Sequence, residues 1–394
     1  MVKSTFLKYL MIVAILGSLI LISGCVEPSA KIKAGFIYVG PIGDYGWTNA
    51  HDVGREIVDE KYTWLDTVYI ESVKEDTASV VEAVDTLVTV KDCDVIFTTS
   101  FGFMDGTIAA AEKYPDKIFF HCSGYKRAPN VGTYFADFYP LYYLNGLMAG
   151  ALSETGKSGY VAAFPIPEVI RHINAFTLGL LETNPAANTT VIWINSWYDP
   201  PAAENAANTL ITDDVDMLAF TEDSPTVVQV AEENDDVYAF SHYSPMQTYG
   251  ETSTISGQLV HWEVLYDDIL TKINDGTYDE TNLENVDYLW FLKEGAIELG
   301  GEFGEPINTA FVDDLKAIDI TDPDHGTISV YDLIMERLDE MNKTWADMDF
   351  DPFTGPISAQ NGTVMLAAGE RATIPELFTT MTWFVEGVIG TIPT

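Results

Sequence analysis

Short apolar runs alternate with amphipathic stretches along most of this chain. The runs at 34–39, 66–71, 94–98, 117–121, 159–163, 189–195, 216–220 and 236–240 predict strands. Helical spacing of apolar positions predicts helices over 48–60, 75–90, 137–154, 168–183, 200–211 and 226–234. Strands that alternate with helices and lack a polar face imply doubly wound parallel sheets covered on both sides. Gly156-Lys157-Ser158-Gly159 is the expected crossing from a first lobe (34–155) to a second (156–260). A further strand at 255–260 leads into a helix at 262–274, which is expected to return the chain to the first lobe. Residues 276–323 are less regular, and Tyr331 to Met341 reads as helix. Asn361-Gly362 between Pro356-Ile357-Ser358 and Thr363-Val364-Met365 predicts a hairpin.

The amino terminus has a different pattern. Lys3 and Lys8 precede an uncharged apolar run from Tyr9 to Leu21, and Ile22-Ser23-Gly24 places small residues before Cys25. This layout predicts an export signal over 1–25, a lipid carried by Cys25, and a linker over 26–33. The 60 acidic and 20 basic residues give a net charge of −40, which argues against nucleic acid as a partner because phosphate binding needs clustered Lys and Arg. The acidity reads as a solvated surface, suited to a salty medium where self-repulsion is screened, or as a face for a basic partner. Cys93 and Cys122 flank neighbouring predicted strands at opposite ends, too far apart for a disulfide, and are expected to be free, partly buried thiols.

The loops at the carboxyl ends of the predicted strands share a chemistry. They carry Asp44, Trp47 and Asn49, then Ser100, Phe101 and Phe103, then Phe164 leading to Arg171 and Asn174, and later Trp197, Glu222, Asp223 and Tyr243. In open α/β sheets ligands bind at these ends. Aromatic faces beside carboxylates, amides and hydroxyls suit a flat heterocycle, stacked on rings and hydrogen-bonded at its edge. Each residue has a plainer reading too. Trp47 could close its own lobe, Phe101, Phe103 and Phe164 could finish the core, and Asp44 could brace its turn. Asp223 could cap a helix and Arg171 could form an ion pair. No Walker sequence, dinucleotide fingerprint, zinc spacing or nucleophile motif is present, so neither an enzyme nor a cofactor is expected.

Several blocks resemble the basic membrane protein family of ABC-transporter substrate-binding lipoproteins, members of which bind purine nucleosides or nucleobases. They are Tyr38 to Thr48 with His51, Gly54 and Arg55; Phe97 to Asp105; Gly124 to Arg127; Gly159 to Val169; Pro352 to Ile357; and Trp383 to Gly387. The resemblance implies a type I periplasmic-binding-protein fold: two doubly wound parallel-sheet lobes, a multi-strand hinge, and ligand in the cleft. Residues 276–394 would complete the lobes and hinge. By the resemblance Trp47 stacks on a purine opposite Phe164 or Phe176, with Glu222, Asp223 and Asn174 at its edge. It also implies ABC permease and ATPase partners and an extracytoplasmic place, lipid-anchored to the cell membrane; a sensing receptor is the alternative, and a nucleoside-processing enzyme a third reading. Nucleoside-binding members carry a ribose-associated aspartate and lysine where this chain has Ser241 to Met246 and Gln258 to Trp262, with neither. That departure points to a free purine base.

Overall fold

The computed structural model describes residues 31–393; the export signal, Cys25 and most of the linker expected above lie outside the described residues. The first lobe is built on β1 (Ile32–Ile37), β2 (Leu65–Ile70), β3 (Val95–Thr98), β4 (Ile118–Cys122) and β5 (Val131–Ala136). With β11 (Asp287–Trp290) they form one sheet, ordered β11-β5-β4-β3-β1-β2, in which every neighbouring pair is parallel. The second lobe holds β6 (Lys157–Ala162), β7 (Asn188–Trp193), β8 (Met217–Thr221), β9 (Tyr238–Tyr243), β10 (Thr254–Val260), β12 (Ile297–Leu299) and β17 (Val388–Ile389). Their order is β12-β10-β9-β8-β6-β7-β17, and only β12 runs antiparallel. β3, β4, β5 and β8 are buried at every residue, which is why most of these strands read as unbroken apolar runs.

Helices α1 (Trp47–Lys61), α2 (Thr77–Thr89), α3 (Met104–Lys113) and α8 (Trp262–Asn274) accompany the first sheet. The second is accompanied by α4 (Tyr139–Leu152), α5 (Pro167–Thr183), α6 (Pro200–Thr212) and α7 (Thr226–Glu232). The strands and helices expected through residue 274 lie within about three residues of their observed limits. Unforeseen are β5, α3, β11, β12, β17, α9 (Thr309–Ala317) and the hairpin β13–β14 (Asp319–Asp322 and Gly326–Ser329). α10 (Val330–Met341) and the short pair β15–β16 (Ile357–Ser358 and Val364–Leu366) follow where helix and hairpin were expected.

The chain passes between sheets three times: from β5 into α4, from β10 into α8, and from β11 to β12. The passes brace one another, because Asp137 N–H donates to the Trp290 carbonyl at 3.1 Å and His261 N–H to the Ala296 carbonyl at 2.8 Å. α4 and α5 touch backbone to backbone. A Cβ on Gly146 would lie 2.0 Å from the Phe176 carbonyl oxygen, and one on Gly179 would lie 2.0 Å from that of Tyr143. Only glycine permits so close a crossing. Cys93 and Cys122 are free thiols, but both are fully buried, not partly so as expected. Burial under α2 and against the aromatic core removes them from solvent and pushes both thiols up. No described helix is long and apolar enough to cross a membrane.

Candidate functional site

At the carboxyl ends of both sheets a cavity of about 20 Å³ lies between the lobes. The first lobe contributes Val39, Trp47, Ser100, Phe101 and Ser123; the second contributes Ile166, Glu168, Trp197, Asp223 and Tyr243. Each group hangs from a strand end or a helix start, as expected for this class of sheet. The lobes touch around the cavity. Gly46 packs so closely on Asp223 that a Cβ there would lie 2.5 Å from the Asp223 Cα. Ser244 Oγ donates to the Gly46 carbonyl at 3.2 Å, and Ser123 Oγ to Glu168 Oε2 at 2.5 Å.

Trp47 opens α1 and is almost entirely buried. Its indole N–H donates to the Thr99 carbonyl, while its ring meets His51, Tyr243 and Trp262 edge-on at 4.6, 4.9 and 5.2 Å. Hydrogen bond and rings together fix one orientation. Asp44 caps the same helix, accepting from the backbone N–H groups of Gly46, Thr48 and Asn49. Asn49 braces the turn by donating to the Ile42 carbonyl at 3.1 Å. Both stand behind the cavity wall.

The carboxylates are the unusual feature. Burial pushes Asp44 up to about 6 in spite of its three backbone donors. Burial raises Asp223 further, reinforced by Asp44 and Glu222 and opposed by the Trp47 backbone N–H. Asp223 Oδ1 is buried and has no hydrogen-bond partner. Glu222 is fully buried beside it, held by Ser224 Oγ at 2.9 Å, and lies outside the cavity wall.

Of the remaining residues singled out from sequence, Ser100, Phe101, Trp197 and Tyr243 line the cavity with Trp47 and Asp223. Phe164 packs edge-on against Trp197 at 5.1 Å. Four others sit elsewhere. Phe103 belongs to the first lobe's outer core, and Phe176 packs between Tyr160 and Phe240. Arg171 pairs with Asp137 at 3.0 Å, donates to the Leu377 carbonyl at 2.8 Å and lies 4.0 Å from the Phe378 ring. Asn174 clamps the C-terminal segment, donating to the Trp383 carbonyl and accepting from Val385 N–H. Val39, Ser123, Ile166 and Glu168 also line the cavity and were not among the residues singled out. Pro167-Glu168 reads as an ordinary acidic helix start; its position after β6 and its place in the Gly159–Val169 block were the signals.

The comparisons agree with this architecture. A family model described as Bmp, ABC transporter substrate-binding protein PnrA-like, matches residues 31–321. The chain is 33% identical over 374 residues to a purine-binding protein of Brucella abortus, covering 95% of this chain and 97% of that one. It is 34% identical over 362 residues to a protein of Haloferax volcanii named as a candidate ABC transporter glucose-binding protein, covering 92% and 81%. A solute-binding protein structure from Aeropyrum pernix K1 superposes with a TM-score of 0.64 at 17% identity, over 79% of this chain and 91% of that one. Another, from Conexibacter woesei, gives 0.60 at 19% identity over 81% and 98%. These likenesses show the type I periplasmic-binding-protein fold. By the family model and by the relatives that match nearly its whole length, the chain belongs to the Bmp family of PnrA-like ABC transporter substrate-binding proteins.

Proposed function

We propose that this substrate-binding protein captures a purine base between its lobes and delivers it to a membrane permease. The observation that carries the reading is the cavity itself: a small space walled by aromatic rings from both lobes, with an unpartnered carboxylate oxygen of Asp223 beside it. Rings receive the faces of a flat heterocycle, and a carboxylate receives the N–H groups at its edge. The space, about 20 Å³ with the lobes this close, is little more than a single water needs, so a ligand enters only as the lobes part. Tyr243 closes one wall, and His242 behind it is occupied by Tyr142 and Gln258 at 2.8 and 2.9 Å. A free base also offers a ring N–H that its nucleoside lacks, and a site built to bind such a group rejects analogues without it. The name of the Brucella abortus relative supports the same ligand class.

A hexose is the second reading, favoured by the name of the Haloferax volcanii relative and by the two carboxylates on the cavity wall. Calorimetric titration with adenine, hypoxanthine, guanine, their nucleosides and glucose separates the readings. A base binding at least tenfold tighter than its nucleoside, about 1.4 kcal/mol, with glucose silent, is the expected result. Glucose binding alone would reverse the proposal.

The protein is further proposed to hang from the membrane by lipid on Cys25. One chain anchors weakly, so more than one is expected. Cys25→Ala remaining membrane-bound on fractionation would count against the tether.

A further inference from the structure

Glu168 stands on the cavity wall at the start of α5 and is nearly buried. Its Oε2 takes the Ser123 hydroxyl from the opposite lobe, so closure of the cleft fixes its position. Tyr243 on β9 also bonds it, and the titratable or charged groups near enough to act on it are Cys122 from β4, Asp137 ahead of α4, Tyr142 on α4, Tyr160 on β6 and Arg171 on its own helix. Arg171 is the one cation among them, and it is committed to Asp137 and to the Leu377 carbonyl. This carboxyl is therefore bonded by two hydroxyls, Ser123 and Tyr243, that serve either protonation state, and has no uncommitted positive charge beside it to hold it ionised.

We infer that Glu168 selects among ligands by the edge they present, donating a hydrogen bond when neutral and accepting one when charged. The inference rests on the purine reading above and deepens it. Burial pushes the Glu168 carboxyl up to about 7, against hydrogen bonds from Ser123 and Tyr243 and the attraction of Arg171. Near neutrality both forms are populated. With Oε2 taken by Ser123, one oxygen is left to meet the ligand's exocyclic group; its neutral form suits a carbonyl there, as in hypoxanthine, and its charged form an amino group, as in adenine. A site whose polar group matches one ligand leaves the other with an unpaired buried atom.

The test is calorimetric titration of the whole chain with adenine and with hypoxanthine from about pH 6 to about pH 8. The ratio of their affinities should move toward adenine by about tenfold, because a carboxyl titrating near neutrality passes from mostly neutral to mostly charged over that range. Glu168→Gln, which does not titrate, should bind both bases with a ratio that stays constant. Ser123→Ala, which removes a donor that favours the charged form, should shift the crossover to higher pH and serves if the first variant fails to fold. A wild-type ratio that does not vary with pH, or a Glu168→Gln or Ser123→Ala profile like the wild type, overturns the role of Glu168 while leaving purine binding in place. No binding of either base at any pH overturns both.

Discussion

The indole N–H of Trp197 donates to Glu75 Oε2 at 3.0 Å, joining a loop of the second lobe to one of the first. The other oxygen of Glu75 accepts from Ser100 Oγ at 2.5 Å and from Gly102 N–H at 3.1 Å. One exposed carboxylate thus holds the loop after β3 in shape and latches the opposite lobe onto it. Trp197 and Ser100 both line the cavity, so the latch and the cavity share residues.

Replacing Glu75 with Ala should leave folding intact and weaken ligand binding by about three- to tenfold, the worth of one hydrogen bond of roughly 1 kcal/mol per conformational state. The dissociation rate should carry most of the change. Stopped-flow Trp fluorescence reads it directly, and an unaltered rate would show that the latch does not hold the cleft shut.

Gly46→Ala tests closure from another side. Its Cβ would lie 2.5 Å from the Asp223 Cα, a backbone atom of the other lobe that cannot move aside while the cleft is shut. The variant should fold with wild-type melting behaviour, bind ligand at least about tenfold more weakly, and have a larger radius of gyration by small-angle scattering when ligand is present. Ordinary affinity would mean the lobes do not approach this closely in solution.

Proton linkage gives a third expectation. Unfolded carboxyls titrate near 4, whereas burial holds Asp44 to about 6 and Glu168 to about 7 and raises Asp223 and Glu222. Between about pH 4 and about pH 7 these four carboxyls bind more protons in the folded state than in the unfolded one, so their contribution to stability falls as pH rises. Asp223→Asn removes one of them. Its melting temperature relative to wild type should therefore be higher near pH 8 than near pH 5. An equal difference at both would show that Asp223 is not strained by burial.

Arg171 provides the contrast, a residue whose work is structural. Burial pulls Asp137 upward, but Arg171 and His172 outweigh it and hold the carboxyl below its ordinary range. Removing the guanidinium as Arg171→Met leaves that carboxylate unpaired in the interior, at a cost of roughly 3–5 kcal/mol. Denaturant titration should show that loss near neutral pH, and adding Asp137→Asn should recover part of it. If Arg171→Met abolishes ligand binding at full stability, the residue acts on ligand after all.

The difference between Arg171 and Glu168 marks where the sequence stops being informative. Both lie in the first two turns of α5, and both are polar positions in an apolar helix start. Their roles part because one faces Asp137 and the Leu377 carbonyl, and the other faces the cavity. That distinction depends on a segment more than 200 residues downstream. Phe176 was equally ambiguous, since an aromatic pattern does not tell a ligand wall from a sheet-facing core. Elements were easier to read where burial on both faces made them apolar throughout, as in β3 and β8. Such burial did not suffice for β5, which runs almost directly into α4 and was lost beside the helix pattern. β11 and β12 are too short for a period to show.

The glycine-tight crossing of α4 on α5 has a mechanical consequence. It welds the first interlobe pass to the second lobe as far back as Asp137, whose carboxylate is held by α5. The bend must then fall at the short joint where β5 ends, level with Trp290 on the neighbouring pass. A charge pair at such a fulcrum travels almost nowhere as the jaws swing, whereas Trp197 and Glu75, out at the rim, travel farthest. The molecule can thus keep its costliest desolvated ions together through every cycle and break, nearer the rim, hydrogen bonds that water can replace.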